Sequence, residues 1–359
     1  MEYNFLIYIS YSYAVPIGNP LAQEIVERGD NVKWFSDLED GKNALKKKTN
    51  VLSSIDEVIS YKPHVVLAAT DDIPDFITGL KVQIFHGFFA QKRPEGNDKF
   101  AHFRIRGFFD LYCTQGPTST SGFKDQQKKQ PHFEVIETGW SKVDPLFPII
   151  PKERSNKPTI MIASTFSKRL SLALRNEVYD EIKHLSESDK YEFIMVLHPK
   201  LPSETKDKWK LLESKNFTYH NTTDLIPLFK KADIMFADNT SAIQEFLLQK
   251  KPVVTYNHTF NHDYLINITT PDAIENAFIK ALETPQILIK SIDKFINQLH
   301  PYFDGKSSKR VIDACISFLH KDKSSLKKKP LNLIRKYKIR KRLKHFTFKS
   351  FSKAYTIKK

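Results

Sequence analysis

The sequence predicts an α/β protein made of two doubly wound halves. Three observations lead there. Short apolar runs recur along the chain, among them NFLIYIS at 4–10, KPHVVLAA at 62–69 and FIMVL at 193–197. Their length and near-continuous hydrophobicity suit parallel strands covered on both faces. Helical patterns stand between these runs, the alternation expected of βαβ units. Finally, PIIPKERSNKP from Pro148 to Pro158, rich in proline and charge, divides the 359 residues into two parts of ordinary domain size.

In the first part, the 4–10 strand is followed by a loop, YSYAVPIGNP, and a helix from Leu21 to Arg28. A turn and second strand run from Gly29 to Phe35, a third strand from Lys62 to Ala69, and a fourth from Val82 to Phe85. Loops at strand ends of such sheets face the ligand crevice, so Tyr11 to Asn19 is a candidate wall. His64 lies inside a strand and reads as a packed histidine. His86 stands where a strand meets a loop, beside Gly87, and is a candidate site residue. Phe109 to Cys113 reads as another strand, and the Thr138-Gly139 turn, with Lys142 and Asp144 after it, marks a further strand end.

The second part repeats this grammar. Strands are expected at Thr159 to Ala163, Phe193 to Leu197 and 217–220, with helices at Leu170 to Leu185 and Thr223 to Lys230. Ile234 to Phe236 is a short buried strand ending at Asp238. Asn239, Thr240 and Ser241 then open a helix whose apolar stripe is Ile243, Phe246, Leu247 and Leu248, and Val253 begins the next strand. An Asp-Asn-Thr-Ser turn at a helix start has two readings: an ordinary cap, or an anion site using free N–H groups and the helix dipole. Helices are expected at Asp272 to Leu282, Ile292 to Leu299 and Lys309 to His320.

The net charge of +15 is unevenly placed. Residues 321–359 hold 16 Lys or Arg against one acid, Asp322, so 1–320 is formally neutral. A folded nucleic-acid binder would carry a basic face on its body, so no nucleic acid is expected. The tail interleaves its charges with Leu331, Leu333, Ile334, Ile339, Leu343, Phe346, Phe348 and Phe351. It can be a solvated basic end, an RNA-binding segment, or a surface helix on an anionic membrane; the apolar residues favour the membrane. Two cysteines, Cys113 and Cys315, are not spaced for a metal or a redox motif and read as reduced, buried thiols. MEYNFLIYISYSY has no basic n-region, and no stretch is long enough to span a bilayer. A cytoplasmic protein, peripheral on the inner face of the membrane, is expected.

Several motifs, in order, resemble the CDP-glycerol glycerophosphotransferase family, the teichoic-acid and capsule polymerases and primases. They are QIFHGF at 83–88, ETGWSKVD at 137–144, IMIASTF at 160–166, VLHPK at 196–200, TTDLIPLFKKADIMFADNTSAIQEF at 222–246, KPVVTY at 251–256 and FDGKSSKRV at 303–311. The resemblance covers about residues 80–315 and leaves out the tail. It implies a GT-B architecture: an acceptor-side domain at 1–150, a nucleotide-donor domain at 151–320 whose final helix crosses back, and the tail, 321–359. It implies a CDP-linked donor, a glycan or lipid-linked acceptor, and no metal or other cofactor.

Residue by residue, the resemblance makes His86 a general base on the acceptor hydroxyl, a role suited to an imidazole, and puts His198 by the donor phosphates. Asp238, Thr240 and Ser241 match the family's Asp-Tyr-Ser-Ser signature, with Asn239 in place of the usual Tyr and Thr240 in place of a Ser; the resemblance implies that these four residues hold the donor pyrophosphate at the helix start, with Thr165, Lys168 and Arg169 as further phosphate contacts. Thr165, Lys168 and Arg169 stand near the family's phosphate-contacting Arg. Gly87, Gly139, Asp144, Lys200, Asp304, Gly305 and Lys306 would line the cleft. A GT-B glycosyltransferase or a UDP-sugar 2-epimerase-like enzyme shares the Thr-Gly and Asp-Gly turns and is the rival reading; a non-catalytic membrane scaffold is the third.

Overall fold

The computed structural model of the chain describes residues 1–88, 103–150 and 157–357, which fall into two compact units. Within those residues the first unit comprises 1–87, 103–148 and 299–357, and the second 88, 149–150 and 157–298. The expected linker at 148–158 lies partly outside the described residues.

The first unit holds β1 (Asn4–Ile9), β2 (Asn31–Ser36), β3 (Val65–Ala68), β4 (Leu80–Gln83), β5 (Leu111–Thr114) and β6 (Glu134–Glu137) in one sheet of order β2-β1-β3-β4-β5-β6. Every pairing is parallel. The strand order reverses between β1 and β3, so the loops after those two strands flank a topological switch point, where ligands of open α/β sheets bind. The second unit repeats the design with β7 (Thr159–Ser164), β8 (Glu192–Leu197), β9 (Phe217–His220), β10 (Ile234–Ala237), β11 (Val253–Tyr256) and β12 (Ile266–Ile268), ordered β12-β11-β10-β7-β8-β9. Its switch point lies between β7 and β10. Both sheets are covered by helices, so Phe5, Leu67, Ile162, Met195 and Phe236 are enclosed. This is why the strands read as apolar runs rather than alternations.

Some elements differ from expectation. The first helix begins at Val15, not Leu21, and takes in Pro20. A helix at Pro117–Lys129 has no apolar stripe in sequence, because Phe123 is its one large apolar residue, so periodicity gives no sign of it. The helix expected at 170–185 is a 3-10 turn at Leu172–Leu174 followed by Asn176–Glu187.

The tail differs most. Set apart in sequence as a separate segment, it belongs to the first unit. Its helix, Leu333–Leu343, buries Ile339 and Arg340. Arg340 grips Asp75 at 2.8 Å, and Lys329 meets the enclosed carboxylate of Asp110 at 2.6 Å. Part of the tail's basic excess meets single acids scattered around the first sheet, which only the fold could reveal.

Candidate active site

At the switch point of the second unit, Ser164 ends β7 and Asp238 follows β10. Asp238 is fully enclosed. Ser164 Oγ donates to its Oδ2 at 2.6 Å, Thr165 N–H to its Oδ1 at 2.9 Å, and Leu172 N–H to its Oδ2 at 2.9 Å. Burial pushes its pKa up to about 6, opposed by these donors. A carboxylate so placed does not face a phosphate; it fixes the loop after β7. The sequence expects Asp238 and Thr165 at the donor phosphates; in the structure the Asp238 oxygens are taken up by these donors, and Thr165, also buried, gives its N–H to the same carboxylate.

Asn239 is buried too. Its Oδ1 accepts from Thr259 N–H at 3.0 Å and Thr259 Oγ at 2.7 Å, tying the loop after β11 to the loop after β10. It therefore clamps a neighbouring loop instead of reaching a phosphate. Thr240 Oγ1 accepts weakly from Ala242 N–H at 3.4 Å, and Ser241 makes no side-chain cap. Both are half-buried at the start of the short helix Ala242–Leu247. Of the four signature residues, only these two keep partly exposed side chains.

On the neighbouring strand, His198 follows β8. Lys200 N–H donates to its Nδ1 at 3.1 Å, which leaves the neutral ring's proton on Nε2. Phe166 packs on the imidazole with ring centroids 4.5 Å apart, and Lys200 Nζ lies 5.3 Å over the Phe166 ring. Phe166 lies in the IMIASTF run but gave no sign of this contact. Lys168 and Arg169 are exposed on the same loop, and Arg169 C=O accepts from Arg175.

Beside the first unit's switch point, His86 is exposed just beyond β4, the strand next to β3. Its Nδ1 lies 3.0 Å from the Ala69 carbonyl, which can only accept, so Nδ1 carries the hydrogen and Nε2 the lone pair. The preceding Phe85 is held at φ +56, a left-handed conformation rare for a bulky residue and common where strain serves a site. Tyr13 packs 5.7 Å from the His86 ring, and Tyr11 stacks on Tyr13 at 5.4 Å, so the loop expected as a wall does border this histidine. Burial raises the Tyr13 hydroxyl to about 12, so it stays protonated. A Cβ on Gly87 would meet nothing among the described residues, and Gln115 Nε2 donates to its carbonyl at 3.0 Å.

The remaining motif residues of this unit form an anchor. Asp144 is buried and accepts from Ser307 N–H at 2.8 Å and from both Ser308 N–H and Ser308 Oγ at 2.6 Å. It thus caps the helix Ser307–His320, where a carboxylate also suits the dipole. Gly139, at φ +80, lets Ser307 approach, since a Cβ there would lie 2.4 Å from Ser307 Oγ. His300, missed in sequence, is fully enclosed, and its Nε2 accepts from Trp140 N–H at 3.0 Å. Gly139 and Asp144 therefore support the start of this helix. Asp304 binds Arg310 and accepts from Lys306 N–H at 3.1 Å; Gly305 sits at φ +67, and Lys306 is exposed. Among the described residues, no group of three or more His, Cys, Asp or Glu is placed to hold a metal.

The wall teichoic acid polymerase TagF superposes with a TM-score of 0.64 at 14% identity, covering 88% of this chain and 89% of that chain. UDP-GlcNAc 2-epimerase from Neisseria meningitidis, bound to UDP-GlcNAc, gives 0.59 at 16% identity, covering 88% and 100%. The S. aureus MnaA–UDP structure gives 0.58 at 13%, covering 88% and 97%. At these identities the likeness is one of fold, the GT-B-like α/β class. No curated protein matches the chain. Residues 132–317 match the family described as CDP-glycerol:poly(glycerophosphate) glycerophosphotransferase. With more than half of its 359 residues inside that match, the chain belongs to this family and is an enzyme of the CDP-glycerol glycerophosphotransferase type.

Proposed function

We propose that the chain moves glycerol phosphate, or a related polyol phosphate, from a CDP-linked donor to a hydroxyl of a glycan or lipid-linked acceptor, in the synthesis of a cell-envelope polymer such as teichoic acid. The observation that carries the mechanism is the tautomer of His86, with Nδ1–H on the Ala69 carbonyl. Its Nε2 takes the acceptor's proton as the acceptor oxygen bonds to the donor's β-phosphorus. The bond from that phosphorus to the bridging oxygen breaks, and CMP leaves with the electron pair. His198 Nε2–H donates to a donor phosphate oxygen. The hydroxyls of Thr240 and Ser241 and the helix start behind them hold the pyrophosphate, while Lys168, Arg169, Lys200 and Lys306 supply positive charge. Aligned donors of this kind act by positioning and charge stabilisation.

The enzyme works in the cytoplasm, peripheral on the inner face of the membrane, through 321–359. The test of function is CMP release from CDP-glycerol with candidate acceptors. His86→Ala should lower kcat by roughly 10²–10⁴-fold, the usual yield of a general base. Full activity in that variant would overturn the mechanism. Protection from thermal unfolding by uridine diphosphates, with none by cytidine diphosphates, would favour a sugar-nucleotide enzyme instead.

A further inference from the structure

The tail helix Leu333–Leu343 has two faces. Lys336, Ile339, Arg340 and Leu343, at helical spacing, turn toward the first unit: Ile339 and Arg340 are buried, and Lys336 joins Arg340 at Asp75. The opposite face carries Leu333, Ile334 and Tyr337, which are 68%, 74% and 57% exposed. Phe346 continues this patch with its ring 6.4 Å from that of Tyr337, and Phe348 is fully exposed. Lys338, Lys341 and Lys344 are exposed among them, and no acidic residue follows Asp322 in the sequence.

The inner face reaches the end of the sheet that carries His86. Arg342 pairs with Asp37, just after β2, at 2.7 Å, and with Asp72, in the loop after β3, at 3.1 Å. Asp37 in turn accepts from Ser10, just after β1, at 2.6 Å. Ala69, the residue that orients His86, begins the loop that contains Asp72. The tail is thus bolted to the switch point of the first sheet.

We infer that the outer face of the tail docks on an anionic lipid surface and that Arg342 fixes this docking so that the His86 end of the sheet meets the membrane. This rests on the assignment of His86 to the acceptor side. Exposed aromatic and aliphatic side chains ringed by lysines suit a leaflet, where apolar side chains enter the acyl boundary and cations meet headgroups. A soluble polyanion would use the lysines and leave the apolar residues in water. Because the inner face is part of the first unit, substitutions on the outer face are the proper test, not removal of the tail.

The full-length protein is sedimented with phosphatidylglycerol or phosphatidylcholine vesicles. Ile334→Ser/Tyr337→Ser/Phe348→Ser should weaken binding to phosphatidylglycerol by at least about tenfold, leave the thermal unfolding temperature unchanged, and leave CMP release from CDP-glycerol unchanged with a water-soluble acceptor. Unchanged vesicle binding overturns the docking face, as does equal binding to phosphatidylcholine; failure of CMP release in the unaltered enzyme would instead overturn the transferase reading. For orientation, an environment-sensitive fluorophore is placed at Tyr11→Cys and quenched with brominated phosphatidylglycerol. Arg342→Gln and Asp72→Asn, which break the same pair from its two sides, should each reduce that quenching while vesicle binding persists. Quenching at the unaltered level in both variants overturns the role of Arg342.

Discussion

Ser308 meets Asp144 twice, through its backbone N–H and its hydroxyl, each 2.6 Å from Oδ2. These residues belong to two motifs far apart in sequence, ETGWSKVD and FDGKSSKRV. The structure makes them one device, a carboxylate that caps the helix beginning at Ser307.

Asp144→Asn should therefore destabilise the first unit by about 2 kcal/mol, because an amide has one acceptor oxygen for three buried donors. Ser308→Ala should cost about 1 kcal/mol, since the backbone bond survives. Chemical denaturation reads both. Losses in the reverse order would mean that the hydroxyl, not the carboxylate, organises the helix start.

Asp238→Asn tests the same logic in the second unit. Asp238 receives Ser164 Oγ–H and the N–H groups of Thr165 and Leu172. An amide at that place turns an NH2 toward donors, so stability should fall by about 2 kcal/mol. The loop bearing Phe166, the partner of His198, should loosen with it. Donor KM should rise with a smaller change in kcat. A pure loss of kcat would point to direct contact between Asp238 and the reacting phosphate.

How far could this be read from sequence? Both sheets could, because buried parallel strands announce themselves as apolar runs, and both strand-end histidines could, because a His beside a Gly or a Pro is conspicuous. The roles within each motif could not. The resemblance makes Asp238, Asn239, Asp144 and Gly139 ligand contacts from their places in the motifs alone. Their partners, Ser164, Thr259, Ser308 and Ser307, lie 20 or more positions away, and side-chain pairing at that range leaves no periodicity to detect. The helix Pro117–Lys129 escaped for a simpler reason: it lacks an apolar stripe. The tail's basic excess was plain, but its enclosed partners, Asp75 and Asp110, were single acids in otherwise neutral sequence.

The pH dependence of stability should carry the mark of His300. Burial lowers its pKa to about 4, and the unfolded chain would titrate near 6.5. Between those values the unfolded state holds the proton and the folded state does not. The contribution is therefore complete above about pH 6.5 and is lost as pH falls toward 4, by on the order of 3 kcal/mol in all. His300→Gln keeps an acceptor for Trp140 N–H and removes the titration. Its unfolding free energy should fall less steeply than the unaltered protein's from pH 7 to pH 4. Parallel curves would show that His300 does not dominate acid sensitivity.

Asn239 offers the sharpest separation of stability from donor binding. Its Oδ1 holds Thr259 through both N–H and Oγ, and the loop so clamped carries His258, Phe260 and His262, packed ring against ring. Asn239→Ala strips the partner from two donors and should cost about 1–2 kcal/mol. Released from its clamp, the loop should raise the KM for CDP-glycerol roughly tenfold while kcat stays within a few-fold, the signature of lost positioning before the chemical step. Asn239→Asp keeps an acceptor for both Thr259 donors, so stability should return. It also puts a negative charge beside Thr240 and Ser241, so the KM should remain high because a carboxylate repels the donor's phosphates. An Asp variant with both stability and KM restored would show that no phosphate comes near this turn.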